Sequence, residues 1–231
     1  MSRIIKALAL SLLAVLALIP AVARAEGTSP GLFTAQVAAN ETATGIGEQI
    51  GVATFTISGL PSMTCTTAKG TGKALTTGPS FEKITVEAVG ETCHIVFLGL
   101  TKPITITSNG CAAVFTAKTT GGGFSAEEES ECPPGKAVEV HVYNNAAHTE
   151  TLCTYEVPPQ SHGTERELVN NTAATPDDVV AKGTVSGITV KNKKPGGFCG
   201  SSENMTATAK GEITIRATDE KGQFVNASVS G

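Results

Sequence analysis

"CHIVFLGLTKPITITSNGC", from Cys93 to Cys111, decides how the chain is read. Two apolar, β-favouring runs, "HIVFLG" and "ITITS", are interrupted around Pro103, the pattern of two strands joined as a hairpin. With the turn centred on Lys102, Cys93 and Cys111 are equidistant from it and face one another across the ladder. Directly opposed residues lie about 4.5 to 5.5 Å apart at Cα, which a disulfide tolerates. A bridge closing a loop of this size stabilises by about 3 kcal/mol through the lost entropy of the unfolded chain. The stretch therefore predicts a stapled hairpin and cysteines that hold structure rather than perform chemistry. A one-residue slip of register would undo this pairing, because neighbouring side chains point to opposite faces.

The other cysteines extend the reading. Cys65, Cys93, Cys111, Cys132, Cys153 and Cys199 are an even set with no C-x-x-C pair. That spacing disfavours a thioredoxin-like redox motif and a zinc knuckle, both of which need close pairs. Cys132 and Cys153 bracket most of a second hairpin, "AVEVHVYNNAAHTETLCTYEV", with its turn at Asn144 and Asn145. Joining them requires the "CPPGK" segment to fold back, which its Pro and Gly residues permit. Cys65 and Cys199 then remain to tie the early and late parts of the chain. About 15 pairings exist for six cysteines, so spacing ranks these three without fixing them.

The first residues, "MSRIIKALALSLLAVLALIPAVARAEG", place Arg3 and Lys6 before an apolar run and end in Ala23-Arg24-Ala25. This is the pattern of a secretory signal peptide cleaved after Ala25, shorter than the roughly 20 residues of a membrane span. The expected protein is thus a secreted or extracellular β-rich domain, residues 26–231, in an oxidising compartment where disulfides persist. The whole chain has 17 basic and 21 acidic residues. Without Arg3, Lys6 and Arg24, 14 basic residues oppose the same 21 acids, a net charge of −7. Nucleic acid is not an expected partner, because phosphate binding needs clustered Lys and Arg. The one basic run, "KNKKPGG" from Lys191, reads as a solvated hairpin loop. No lipid-modified cysteine, hydrophobic C-terminal tail or other membrane insertion of the mature chain is expected.

Alternation of period two recurs along the chain. It appears at Ile84, Val86 and Ala88, at Val138, Val140 and Val142, and at Ile213 and Ile215. Each marks a strand with one buried face. Further strands are predicted at Leu32 to Val37, Gly51 to Ser58, Thr64 to Gly70, Ala112 to Lys118, Cys153 to Val157, Val179 to Val190 and Met205 to Ala209. Gly or Pro punctuates them about every ten residues, as in sandwiches and barrels. The fold class expected is all-β, an antiparallel sandwich-like domain stapled by disulfides, built as one extended sandwich or two packed β units. No helix is expected after the signal peptide. Gly187 within "TVSGITV" predicts a bulge or a close backbone approach. Thr119 to Gly135 and Pro158 to Asp178 read as loops.

Catalytic constellations are hard to assemble. Ser161 and His162 are adjacent on a predicted loop, but a nucleophile and base must meet through space and be oriented by a third group. His94 sits on an apolar strand. Glu127, Glu128, Glu129 and Glu131 lack the spaced ligand pattern of a calcium loop. If the second hairpin turns at Asn144, then His141, His148 and Glu150 share a face as a two-histidine, one-carboxylate set. No further ligand is fixed there, and neither a metal nor a cofactor is assigned. The absence of Trp and the presence of only two Tyr argue against a sugar-stacking platform. Sequons occur at Asn40, Asn170, Asn204 and Asn226.

The succession "TCTTAKG", "CHIVF…TITSNGCAAVF", "CPPGKAVEVHV…CTYEVPPQ" and "VVAKGTVSGITV…FCG", roughly Cys65 to Ile215, resembles a group of uncharacterised exported bacterial six-cysteine proteins. The resemblance implies an export signal, a β-rich domain and a shared cysteine framework, and it supplies no reaction. Ala113 departs from the aromatic expected shortly after "NGC". The function expected is a non-catalytic extracellular or cell-surface module, binding or structural, whose partner is a protein or cell-envelope polymer. The alternative is a secreted hydrolase with a dispersed site, which activity-based labelling lost on substitution of one residue would favour.

Overall fold

In the computed structural model, residues 29–38, 41–74, 80–81 and 83–231 are described. The expected signal peptide, residues 1–25, and the sequon at Asn40 lie outside them. The chain forms strands β1 (Ser29–Pro30), β2 (Leu32–Ala35), β3 (Thr44–Ile57), β4 (Met63–Ala74), β5 (Ser80–Phe81) and β6 (Lys83–Phe97). There follow β7 (Leu100–Thr107), β8 (Ala112–Thr120), β9 (Gly123–Glu131), β10 (Val138–Tyr143) and β11 (Thr151–Val157). The last are β12 (Gln160–Asn171), β13 (Asp178–Asn192), β14 (Asn204–Thr218), β15 (Phe224–Val225) and β16 (Ala227–Ser230). A 3-10 turn at Gly197–Cys199 is the one helical piece among the described residues, as the strand-forming composition predicts.

Five long strands, in the order β6-β4-β3-β14-β13, make one antiparallel wall. Two separate sets of three strands close it. β8, β9 and β12 connect Lys83–Val86 of β6 to Asp178–Lys182 of β13, completing an eight-stranded closed barrel. β7, β10 and β11 connect the other halves of the same two strands, Cys93–Phe97 and Lys191–Asn192, into a second ring of pairings. The all-β class and the disulfides stand, but the sandwich expectation is corrected. Hydrogen bonding runs unbroken around the barrel, which leaves no pair of open sheets and few exposed edges.

Two apolar cores lie end to end inside. One gathers Ile57, Met63, Ile95, Val140, Val142, Tyr155, Val185 and Val190 within the second ring. The other gathers Ile84, Phe115, Leu168, Val179, Ile215 and, from the small sheet β16-β2-β5, Phe33, Ala35, Ala227 and Val229. Between them the inner face turns polar. Arg166 is buried and ion-paired with Glu128, and its Nη1 donates to Gly211 O at 3.3 Å.

The wall changes register at this waist. Bulges fall between Val185 and Ile188, Lys210 and Glu212, and Glu48 and Ala53. The predicted bulge at Gly187 is present, with φ +74°. It switches the inward positions of β13 from Val179, Ala181 and Val185 to Ile188 and Val190, and the strand serves both cores, Val179 and Ala181 in one and Val185, Ile188 and Val190 in the other. Where backbone rungs are missing, glutamine side chains replace them. Gln160 Oε1 accepts from Thr189 N at 2.7 Å and its Nε2 donates to Thr189 O at 3.0 Å. Gln49 Nε2 donates to Cys65 O at 2.8 Å beside the β3 bulge.

All six cysteines are paired, as staples, but not in the expected combinations. The bridges are Cys65–Cys93, Cys111–Cys132 and Cys153–Cys199. The β6-β7 hairpin exists, yet its turn is Leu98-Gly99, so Cys93 opposes Ile104 on β7 and Cys65 on β4. Pro103 lies within β7, beyond the last rung to β10 at Ile104. The second hairpin has a loop over 144–150, which sets Val142 opposite Cys153 and leaves Cys132 to close the β8-β9 hairpin. Three disulfides fit an oxidising environment. No helix among the described residues is long and apolar enough to cross a membrane.

Two predicted loops are corrected too. Most of Thr119 to Gly135 is strand β9, and Gln160–Asn171 of Pro158 to Asp178 is strand β12. The glutamates of β9 are tolerated in a barrel because Glu127 pairs with Lys118 and Glu128 with Arg166.

Candidate functional site

Strand direction brings four connections to one end of the barrel, above the core that holds Tyr155. They are residues 58–62, the Leu98-Gly99 turn, the 144–150 loop and residues 193–203. Lys102 Nζ donates to Asn144 Oδ1 at 2.6 Å and to Asn144 O at 3.1 Å, joining the first hairpin to the second. Phe97 meets Phe198 edge-to-face at 4.2 Å, joining it to the 3-10 turn. Lys194 Nζ donates to Thr151 O at 3.1 Å, and Lys193 pairs with Glu156.

The β6-β7 hairpin projects from this end with its apolar residues uncovered. Leu98 is 86% exposed, Leu100 60% and Val96 50%. Leu98 and Gly99 both have positive φ, +50° and +77°, the geometry of a type I′ turn. That turn favours Asn or Gly at its first position, since a side chain in the left-handed region is strained. Leucine here is costly twice, in backbone conformation and in exposed apolar surface.

The two-histidine, one-carboxylate set of His141, His148 and Glu150 is not brought together. His141 Nε2 lies 3.0 Å from Glu139 Oε2, while the ring of His148 stacks on Tyr143 at 4.3 Å. Glu150 accepts from Asn144 Nδ2 at 2.7 Å. Among the described residues, no cluster of three His, Cys, Asp or Glu side chains is close enough to hold an ion. His94 is half-buried between Thr64 and Pro103.

His162 lies at the irregular start of β12, beside the polar waist. Burial pulls its pKa below the ordinary histidine value; Glu128 opposes that shift and Arg166 adds to it. Ser161 opposes Glu129 of β9. The sequon asparagines Asn170 and Asn226 are engaged, Asn170 bonding Val229 N and O and Asn226 bonding Gln36 and Asp177; Asn204 is exposed at the start of β14.

No family model, curated protein or solved structure matches the chain.

A second feature is an open groove of about 850 Å3 on the outer wall at the waist. Ile50 and Val52 line one side, and Lys182, Glu167, Lys210 and Glu212 the rest. Lys182 and Glu167 are paired at 3.4 Å, so part of its charge is already balanced. The hairpin tip is the sharper candidate. Sequence reading missed it because Pro103 drew the turn downstream, although Leu-Gly between apolar runs carried the signal.

Proposed function

We propose that this protein is an exported, non-catalytic contact module that meets its partner at the cell surface through the end bearing the β6-β7 hairpin. The observation that carries this reading is Leu98, almost fully exposed in a left-handed conformation that asparagine would adopt more easily. A residue that is unfavourable for folding and turned to solvent is explained by a contact made outside the chain. The barrel beneath, with its two cores and three bridges, is the rigid support such a tip requires.

The test is binding of labelled, purified protein to a cell-envelope preparation from the source organism. The native chain binds saturably, and a Leu98→Asn, Leu100→Thr variant binds about tenfold or more weakly with a melting temperature no lower than that of the native chain, the loss expected for two leucines no longer buried. Binding equal to that of the native chain would remove the reading.

A further inference from the structure

We propose that the partner of the hairpin tip is an anionic lipid surface, entered by Leu98 and its neighbours to the depth of the headgroups. The proposal rests on the contact reading above and names its ligand. Two observations favour lipid over a protein face.

The first is shape. Apolar side chains surround the turn instead of forming one flat patch: Val96 and Thr101 are paired on one face of the hairpin, Phe97 and Leu100 on the other, and Leu98 is at the apex. A convex tip that is apolar on both faces suits a fluid apolar medium, which closes around it from all directions. The second is charge. Lys102, Lys191, Lys193 and Lys194 belong to this end against Glu150, Glu156 and Glu203, an excess of base in a chain whose formal net charge is −4. Lys102 and Lys194 donate to neutral oxygens, so these contacts leave their charge uncompensated for lipid phosphates.

The chain has no Trp, so Leu98→Trp places a single indole at the apex. The purified exported protein carrying Leu98→Trp is mixed with vesicles of phosphatidylcholine alone, or of phosphatidylcholine with about one-third phosphatidylglycerol. A blue shift of its emission on the anionic vesicles, weaker in high salt, is expected. In co-sedimentation, the native chain is retained by the same vesicles. Leu98→Asp lowers retention about tenfold or more, and Lys102→Gln with Lys194→Gln weakens it on anionic vesicles only. An unshifted indole, or retention indifferent to Leu98→Asp, overturns the proposal. If vesicles fail while the envelope preparation still binds in a Leu98-dependent way, the lipid proposal falls and the contact reading stands. A concentration-dependent dimer lost in Leu98→Asp would likewise overturn it, assigning the tip to a second copy.

Discussion

Leu98 shows how a single position can serve function against folding. Replacing it by Asn relieves a strained type I′ turn and removes an exposed leucine, so Leu98→Asn is expected to stabilise by about 0.5 to 1 kcal/mol. Chemical denaturation checks this; a loss of stability would show that the tip is held by contacts within the chain. Tyr155 is the opposite kind of residue, buried in the core with its hydroxyl donating to Cys199 O at 3.1 Å. Burial pushes its pKa up to about 12. The folded chain therefore holds this proton more tightly than the unfolded chain, whose phenol ionises near pH ~10. The stability that Tyr155 contributes is complete below that value and is lost as pH rises toward about 12. Denaturation midpoints followed across that alkaline window are expected to fall in the native chain and to fall less in Tyr155→Phe.

At the scale of elements, period-two alternation located the cores of most strands, because half-buried strands must alternate. β9 and β12 escaped it for a physical reason. Their inward positions at the waist are Glu128 and Arg166, a charged pair that reads as solvated loop until the partner strand is known. The cysteine pairing escaped for another. Opposition across a ladder does set Cys65 against Cys93, but the choice of ladder depends on a two-residue turn four residues from the expected centre. Gln160 offers a test of how the strands are joined. Its carboxamide replaces a backbone rung to Thr189 at the surface, so Gln160→Ala leaves those groups to water and costs about 0.5 to 1.5 kcal/mol. Urea denaturation reads this out, with Gln160→Glu retaining the acceptor to Thr189 N. An effect no larger than that of an exposed substitution would show that the rung is dispensable.

Across the whole molecule, one bent wall carries two cores separated by the layer of Arg166 and Glu128. Removing one partner strands a buried charge, and Glu128→Ala is expected to cost about 3 to 5 kcal/mol, whereas Glu128→Leu with Arg166→Met recovers most of it. Additive losses in this pair would show that the layer is not an ion pair. His162 beside the layer favours its neutral form when folded. Its contribution is present above the ordinary histidine value of about 6.5 and is lost as pH falls below it. Acid sensitivity in that range, reduced in His162→Gln, is the expected result. The two-core arrangement itself is tested most directly by mapping disulfide-linked peptides of the exported, non-reduced protein. Cys65 joined to Cys93, Cys111 to Cys132 and Cys153 to Cys199 is the predicted result, since Cys65 opposes Cys93 in the wall, Cys111 and Cys132 flank the paired ends of β8 and β9, and Cys199 of the 3-10 turn reaches Cys153 on β11. Cys93 joined to Cys111, or free thiols, would contradict it, because neither arises from the register of this barrel.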